Sequence, residues 1–194
     1  MSTLDVLIER NASFAANDFP AGLRMMPRLR AMIIGCADPR VDPALVLGLD
    51  LGDAAIVRNV GGRVTPGTLQ NMALLRMLAT QEATDPGRDW TLIVLHHTDC
   101  GITRLVNRPE PLAEYLGVPI HAFDAGEVIN PRASVVSDIA ALRRVPGIPQ
   151  QWLVTGLVYD VETGLVEEVV PLSQLGQPAP DVQVDVWDGR EPAR

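Results

Sequence analysis

Three short stretches of the chain are apolar at nearly every position: residues 31–35, 54–57 and 91–95. Strands that alternate apolar and polar residues have one wet face. Continuous apolar runs instead point to strands buried on both faces, as in parallel sheets covered by helices. Helical periodicity lies between them, weakly over 43–51 and more strongly through Leu69, Met72, Ala73, Leu75 and Met77, after a Thr65-Pro66-Gly67-Thr68 start. A further amphipathic helix is predicted over 134–145, closed by Pro146-Gly147. Runs at 152–159 and 165–170 then flank Asp160-Val161-Glu162-Thr163-Gly164, a hairpin signature. At the start, Ser2 and Asp5 stand in capping-box spacing before Leu4, Leu7, Ile8, Phe14 and Ala15, which predicts a helix to about Asn17 that needs a partner surface. The predicted fold class is α/β: a mostly parallel central sheet flanked by helices, with a C-terminal hairpin as edge strand and an N-terminal helical arm. One domain is expected over 1–171, with residues 1–30 as the arm, followed by a Pro- and acid-rich tail over 172–194. In that tail Val182, Val184, Val186 and Trp187 suggest an added edge strand or a segment wrapping a partner. Residues 107–130 read as a loop with a short helix.

Composition narrows the function classes. Every one of the 16 basic residues is arginine, and 24 acids leave a net charge of -8. That balance lacks the basic surface on which phosphate backbones bind, so no nucleic-acid partner is expected. No run reaches the roughly 18 apolar residues of a membrane span, and Asp5, Glu9 and Arg10 interrupt any signal-peptide core. The expected compartment is the cytoplasm, with no membrane partner. Two cysteines cannot form a disulfide framework and read as ligands, nucleophiles or inert core residues.

The informative polar residues directly follow apolar runs. Cys36-Ala37-Asp38-Pro39-Arg40 follows the first, and His97-Thr98-Asp99-Cys100-Gly101 follows the third. Parallel sheets bind ligands outside the carboxyl ends of their strands, so both cysteines and one histidine are expected at one rim. Cys36, His97 and Cys100 make a Cys₂His set, which leaves a fourth tetrahedral position for water or substrate, as a catalytic zinc site requires. Taken singly, each cysteine is more readily a core residue, and His-x-x-Cys alone is a weak signal. Their coincidence at strand ends favours the metal. His96 is expected to satisfy a hydrogen bond elsewhere and His121 to be a surface or packing residue. Asp42, Asp50, Asp53 and Asp99 read as solvated or capping acids.

Taken in order, Cys-x-Asp-x-Arg, Arg58-Asn59-Val60-Gly61-Gly62 and His97-Thr98-Asp99-Cys100-Gly101 resemble the β-class carbonic anhydrases, as do the segments from Ser134 and Gly156. The resemblance spans about residues 4–170. It implies reversible hydration of carbon dioxide to bicarbonate by zinc-bound hydroxide, with Zn²⁺ on Cys36, His97 and Cys100 and with Asp38 and Arg40 as the neighbouring dyad. It further implies a homodimer or higher even oligomer embraced by the N-terminal helix, and a second arrangement in which Asp38 itself takes the fourth zinc position. Val60, Gly61, Gly62 and Gly101 are the candidates for the substrate wall. Pro39 departs from the family's small residue and pushes Asp38 toward extended backbone. Two rivals remain: hydrolysis of carbonyl sulfide or carbon disulfide on the same scaffold, and a non-catalytic zinc-binding interaction protein. A thiol redox protein would call for Cys-x-x-Cys, which is absent.

Overall fold

The structure is a computed structural model that describes residues 1–81, 90–179 and 182–184. Its centre is a five-stranded sheet in the order β2-β1-β3-β4-β5, built from β1 (Ala31–Cys36), β2 (Ala54–Asn59), β3 (Thr91–His97), β4 (Leu153–Tyr159) and β5 (Val166–Gln174). The first four run parallel and β5 returns antiparallel to β4. All six residues of β1 are buried, as a strand flanked and covered on both faces must be. β2 departs from expectation. It is an edge strand and only half-buried, because its neighbour lies on one side alone and its small Ala54 and Ala55 need little cover.

Among the described residues there are six helices: α1 (Thr3–Asn17), α2 (Pro43–Val46), α3 (Pro66–Gln81), α4 (Pro109–Leu116), α5 (Ala125–Ile129) and α6 (Pro131–Arg143). The Ser2–Asp5 capping box closes both ways at the start of α1, whose fifteen residues include no buried one. The predicted helix over 43–51 shrinks to a single turn, since Gly48 turns left-handed (φ 62°) just beyond it. α6 begins three residues earlier than its periodicity suggested. Asn130 caps it by accepting from the Arg132 and Ala133 amides, and Pro131 occupies the first turn, where no amide bond is lost. The segment 107–130, expected as a loop with one short helix, holds α4, α5 and a 3₁₀ turn over Ile120–Ala122. β5 continues through Pro171 to Gln174. Proline is tolerated there because the strand is at the edge and its pairing with β4 is irregular just at that point. Val182 packs on the main core without regular secondary structure, while Val186 and Trp187 lie outside the described residues.

Met32, Ile34, Leu92, Val94, Val154, Val135 and Ile139 form the main core, with α6 laying Val135, Asp138, Ile139 and Leu142 against the sheet. A second, smaller cluster of Cys36, Val41, Cys100, Ile102, Leu112 and Val128 sits at the carboxyl ends of β1 and β3. Among the described residues no helix is long and apolar enough to cross a membrane.

Candidate metal centre

From β1 the chain moves to β2 on one side and then to β3 on the other. The carboxyl ends of β1 and β3 therefore diverge into the crevice where α/β sheets place ligands. Cys36 ends β1, His97 ends β3, and Cys100 follows in the next turn. Register explains why they meet: Gly35 pairs with Leu95, so β1 and β3 end within one residue of the same height.

The sulfurs of Cys36 and Cys100 are 3.7 Å apart, and a ring nitrogen of His97 lies with them inside a 4.8 Å cluster. His97 Nδ1 is 2.8 Å from the Thr98 carbonyl, which can only accept, so Nδ1 carries the proton. Nε2 is then left as a buried lone pair, with no hydrogen-bond partner among the described residues. Zinc bonded to two thiolates at about 2.3 Å in a tetrahedron sets the sulfurs about 3.8 Å apart. The observed spacing fits that geometry and is far too long for a disulfide. Electrostatics agree. A hydrogen bond from the Cys100 thiol, helped by the Asp38 and Gly61 amides, holds Cys36 well below the usual thiol range. The same bond, with burial, pushes Cys100 up. One proton is shared where a divalent cation would let both sulfurs ionise.

Asp38 and Arg40 stand beside the sulfurs. Asp38 Oδ1 accepts from the Arg40 amide (2.9 Å) and Nε (3.1 Å), and Oδ2 accepts from Nη2 (2.8 Å). Pro39 is accommodated because residues 38–41 form a turn closed by the Val41 amide on the Asp38 carbonyl, with proline at its second position. The hydrogen bonds from Arg40 hold the Asp38 carboxyl down at about 2. Arg40 also donates through Nη1 to Asp99 Oδ2 (2.8 Å) and through Nη2 to the Asp99 carbonyl (2.9 Å).

Behind the site, Arg58 donates to the carbonyls of Cys36 (2.8 Å) and Asp38 (2.7 Å) and to Asp42 (2.6 Å), fixing the loop that follows β1. The 3₁₀ turn over Val60–Gly62 forms the other support. A Cβ on Gly62 (φ 66°) would lie 2.9 Å from the Cys36 nitrogen and 3.1 Å from the Leu95 oxygen. One on Gly61 (φ 81°) would strike Ile102 at 2.6 Å. Val60 is half-exposed and its carbonyl accepts from the Tyr115 hydroxyl. Gly101 is exposed, with open space where a Cβ would stand.

Arg63 follows that turn and makes a bidentate pair with Asp138 of α6 (2.8 and 3.2 Å), both side chains about 5% exposed. His96 Nε2 lies 3.1 Å from both Asp138 Oδ2 and the Gly62 carbonyl. His96 thus satisfies hydrogen bonds inside the core, as expected, and His121 is exposed. The four aspartates read as solvated or capping differ in fate. Asp42 caps α2 and Asp50 is exposed, but Asp53 is buried on Arg28 (2.7 Å), and Asp99 is engaged by Arg40. The sequence assigned no role to Arg58, Arg63, Tyr115 or Asp138, although Arg58 opens the Arg-Asn-Val-Gly-Gly motif and Asp138 lies in the segment from Ser134.

A family model described as carbonic anhydrase matches residues 31–122. β-Carbonic anhydrase 1 of Mycobacterium tuberculosis is 30% identical over 176 residues, which cover 88% of this chain and 100% of that protein. A carbon disulfide hydrolase of Acidianus sp. is also 30% identical, over 163 residues covering 69% of this chain and 74% of its own. Among solved structures, a carbonic anhydrase from Streptococcus mutans has TM-score 0.65 at 36% identity, across 87% of this chain and 98% of that one. Similarity that runs the whole length of a relative, on the same fold, settles descent: the chain belongs to the β-carbonic anhydrase family.

Proposed function

We propose that this protein catalyses the reversible hydration of carbon dioxide to bicarbonate, with Zn²⁺ held by Cys36, His97 and Cys100. The observation that carries this reading is the convergence of those three donors beside a carboxylate that Arg40 keeps ionised. Zinc, when bound, brings the pKa of a coordinated water toward neutrality and so supplies a nucleophile. Two thiolates blunt that effect by cancelling the metal's charge, so the protein must help. Asp38 Oδ1 is spent on two Arg40 donors, but Oδ2 receives only one and keeps a lone pair for the attacking water. There it orients the O–H and so aims the oxygen. Arg40 fixes that carboxylate through its planar fork and offsets its charge. Val60 and Gly101, both facing solvent, form the wall of the approach, while Gly61 and Gly62 hold backbone close beneath it.

A dimer accompanies this reading, because Leu4, Leu7 and Ile8 stand exposed in a row along α1, which buries nothing within its own subunit. Both thiols must stay reduced to bind metal, which suits the cytoplasm. Hydrolysis of carbon disulfide or carbonyl sulfide is the second reading, supported by the similarity to the Acidianus enzyme. A purely structural metal site has no use for an ionised, clamped Asp38. Zinc content combined with stopped-flow turnover of the three gases side by side tests the proposal. One zinc per chain with carbon dioxide as the fastest substrate supports it; turnover confined to the sulfur compounds replaces it with the second reading.

A further inference from the structure

Two loops carry the candidate ligands. One runs from Cys36 to Arg40 after β1, the other from His97 to Cys100 after β3. Each is anchored internally: the first by Arg58, the second by the Thr98 amide on the Tyr159 carbonyl and the Val161 amide on Thr98 Oγ1. Apart from contacts among the three candidate ligands themselves, the hydrogen bonds that join the loops to each other among the described residues are the two from Arg40 to Asp99. Asp99 immediately precedes Cys100, and it holds a left-handed backbone (φ 50°), rare for a residue with a side chain. That conformation brings both its carbonyl and its carboxylate onto the same guanidinium. We infer that Asp99 is a positioning residue: it anchors Arg40 across the mouth of the site, so that Asp38, Arg40 and Asp99 form one bridge holding the two ligand loops at metal-binding distance.

The inference rests on the proposed zinc reading and deepens it. The bridge uses the guanidinium fully, because Asp38 occupies one edge and Asp99 the other. Should Asp38 swing away toward the metal, Arg40 would keep a partner and stay in place. Arg104 adds a weaker attraction to the Asp99 carboxylate.

The test is the rate at which zinc passes from the purified holoenzyme to an excess of a chromophoric chelator. Wild type is compared with Asp99→Gly, Asp99→Asn, Arg40→Gln and the double variant Asp99→Gly/Arg40→Gln. Glycine tolerates the left-handed backbone, so that substitution removes the carboxylate without adding strain. Asparagine tolerates it nearly as well and keeps the shape, which preserves the test if the glycine variant folds poorly. Asp99→Gly is expected to release zinc about threefold faster, the scale of a solvent-exposed ion pair, with an unchanged thermal midpoint. The double variant is expected to release no faster than Arg40→Gln alone, because both substitutions cut the same bridge. Wild-type release from both Asp99 variants, or effects that add in the double, would overturn the inference while leaving the zinc reading intact. Wild-type protein without stoichiometric zinc would overturn both.

Discussion

Replacing Asp138 by asparagine is the most demanding test of how the site is supported. Asp138 Oδ2 accepts from both Arg63 Nε and His96 Nε2, and Oδ1 accepts from Arg63 Nη2. An asparagine that keeps its oxygen at the doubly used position must turn its amide hydrogens toward Arg63 Nη2, so a donor faces a donor; the flipped amide faces two. Arg63 is about 4% exposed and its Nη1 already lacks a partner among the described residues, so its charge would be left uncompensated inside the protein. Breaking a buried pair in this way costs about 3–5 kcal/mol. In a domain of this size that corresponds to a drop in melting temperature of roughly 6–20 °C. Thermal unfolding followed by circular dichroism at neutral pH measures it. Exchanging both partners for apolar residues, Arg63→Met with Asp138→Leu, should recover most of the loss, because no charge is then stranded. The pH dependence has a definite sign. Burial pushes the Asp138 carboxyl up, but the His96 hydrogen bond and the Arg63 charge outweigh it, and its pKa ends below the ordinary value. The pair therefore stabilises fully above about pH 4 and loses its contribution as the pH falls through the lowered value. A melting temperature within about 2 °C of wild type, less than about 1 kcal/mol on the same scale, would show that water reaches Arg63 and would refute the argument.

Asp38→Asn should retain one zinc per chain yet lower turnover on the order of 100-fold or more, as read by metal analysis and stopped flow. Because Arg40 holds Asp38 at about 2, this carboxylate stays ionised throughout the working range. Activity should therefore rise through neutrality with the water that the metal acidifies, and a flat profile from about pH 6 to about pH 9 would contradict that. Gly62→Ala should destabilise by about 3 kcal/mol in urea titrations, since a left-handed residue gains a Cβ pressed against three backbone atoms that cannot yield. Leu4, Leu7 and Ile8 changed together to serine should convert a dimer to monomers in sedimentation velocity, without unfolding the chain.

What the sequence revealed depended on whether the signal was local. The Ser2–Asp5 box and the continuous apolar runs of β1 and β3 are local, and the structure places those elements as the pattern implied. Strand order is not local. The run at 54–57 looks as apolar as the others, but nothing in it says that β2 lies at an edge with one neighbour. α4 and α5 are too short to establish a period, and the first opens on Pro109, which in isolation reads as a loop. Cys36 and His97 were legible as candidate donors because they end apolar runs, and Cys100 because it stands three residues beyond His97. Asp99 was not, since its partner Arg40 stands 59 positions away and an aspartate beside a turn is most simply solvated. Asp138 was hidden for the same reason: a lone acid within an amphipathic pattern reads as the wet face until Arg63 is brought beneath it.

The distribution of charge around the site bears on which way the reaction runs most easily. On the proposed reading the two thiolates neutralise the metal, and Arg40 is divided between Asp38 and Asp99, so these three side chains together carry one net negative charge. Carbon dioxide is uncharged and enters without regard to that charge. Bicarbonate is an anion that forms there, and Arg40, already committed to two carboxylates, has little left with which to retain the product. A lysine could not serve in place of Arg40, because a single ammonium cannot face Asp38 and Asp99 through two separate edges at once. The same bridge that holds the ligand loops together thus withholds its positive charge from the departing anion, and the acidity of the chain as a whole acts in the same direction.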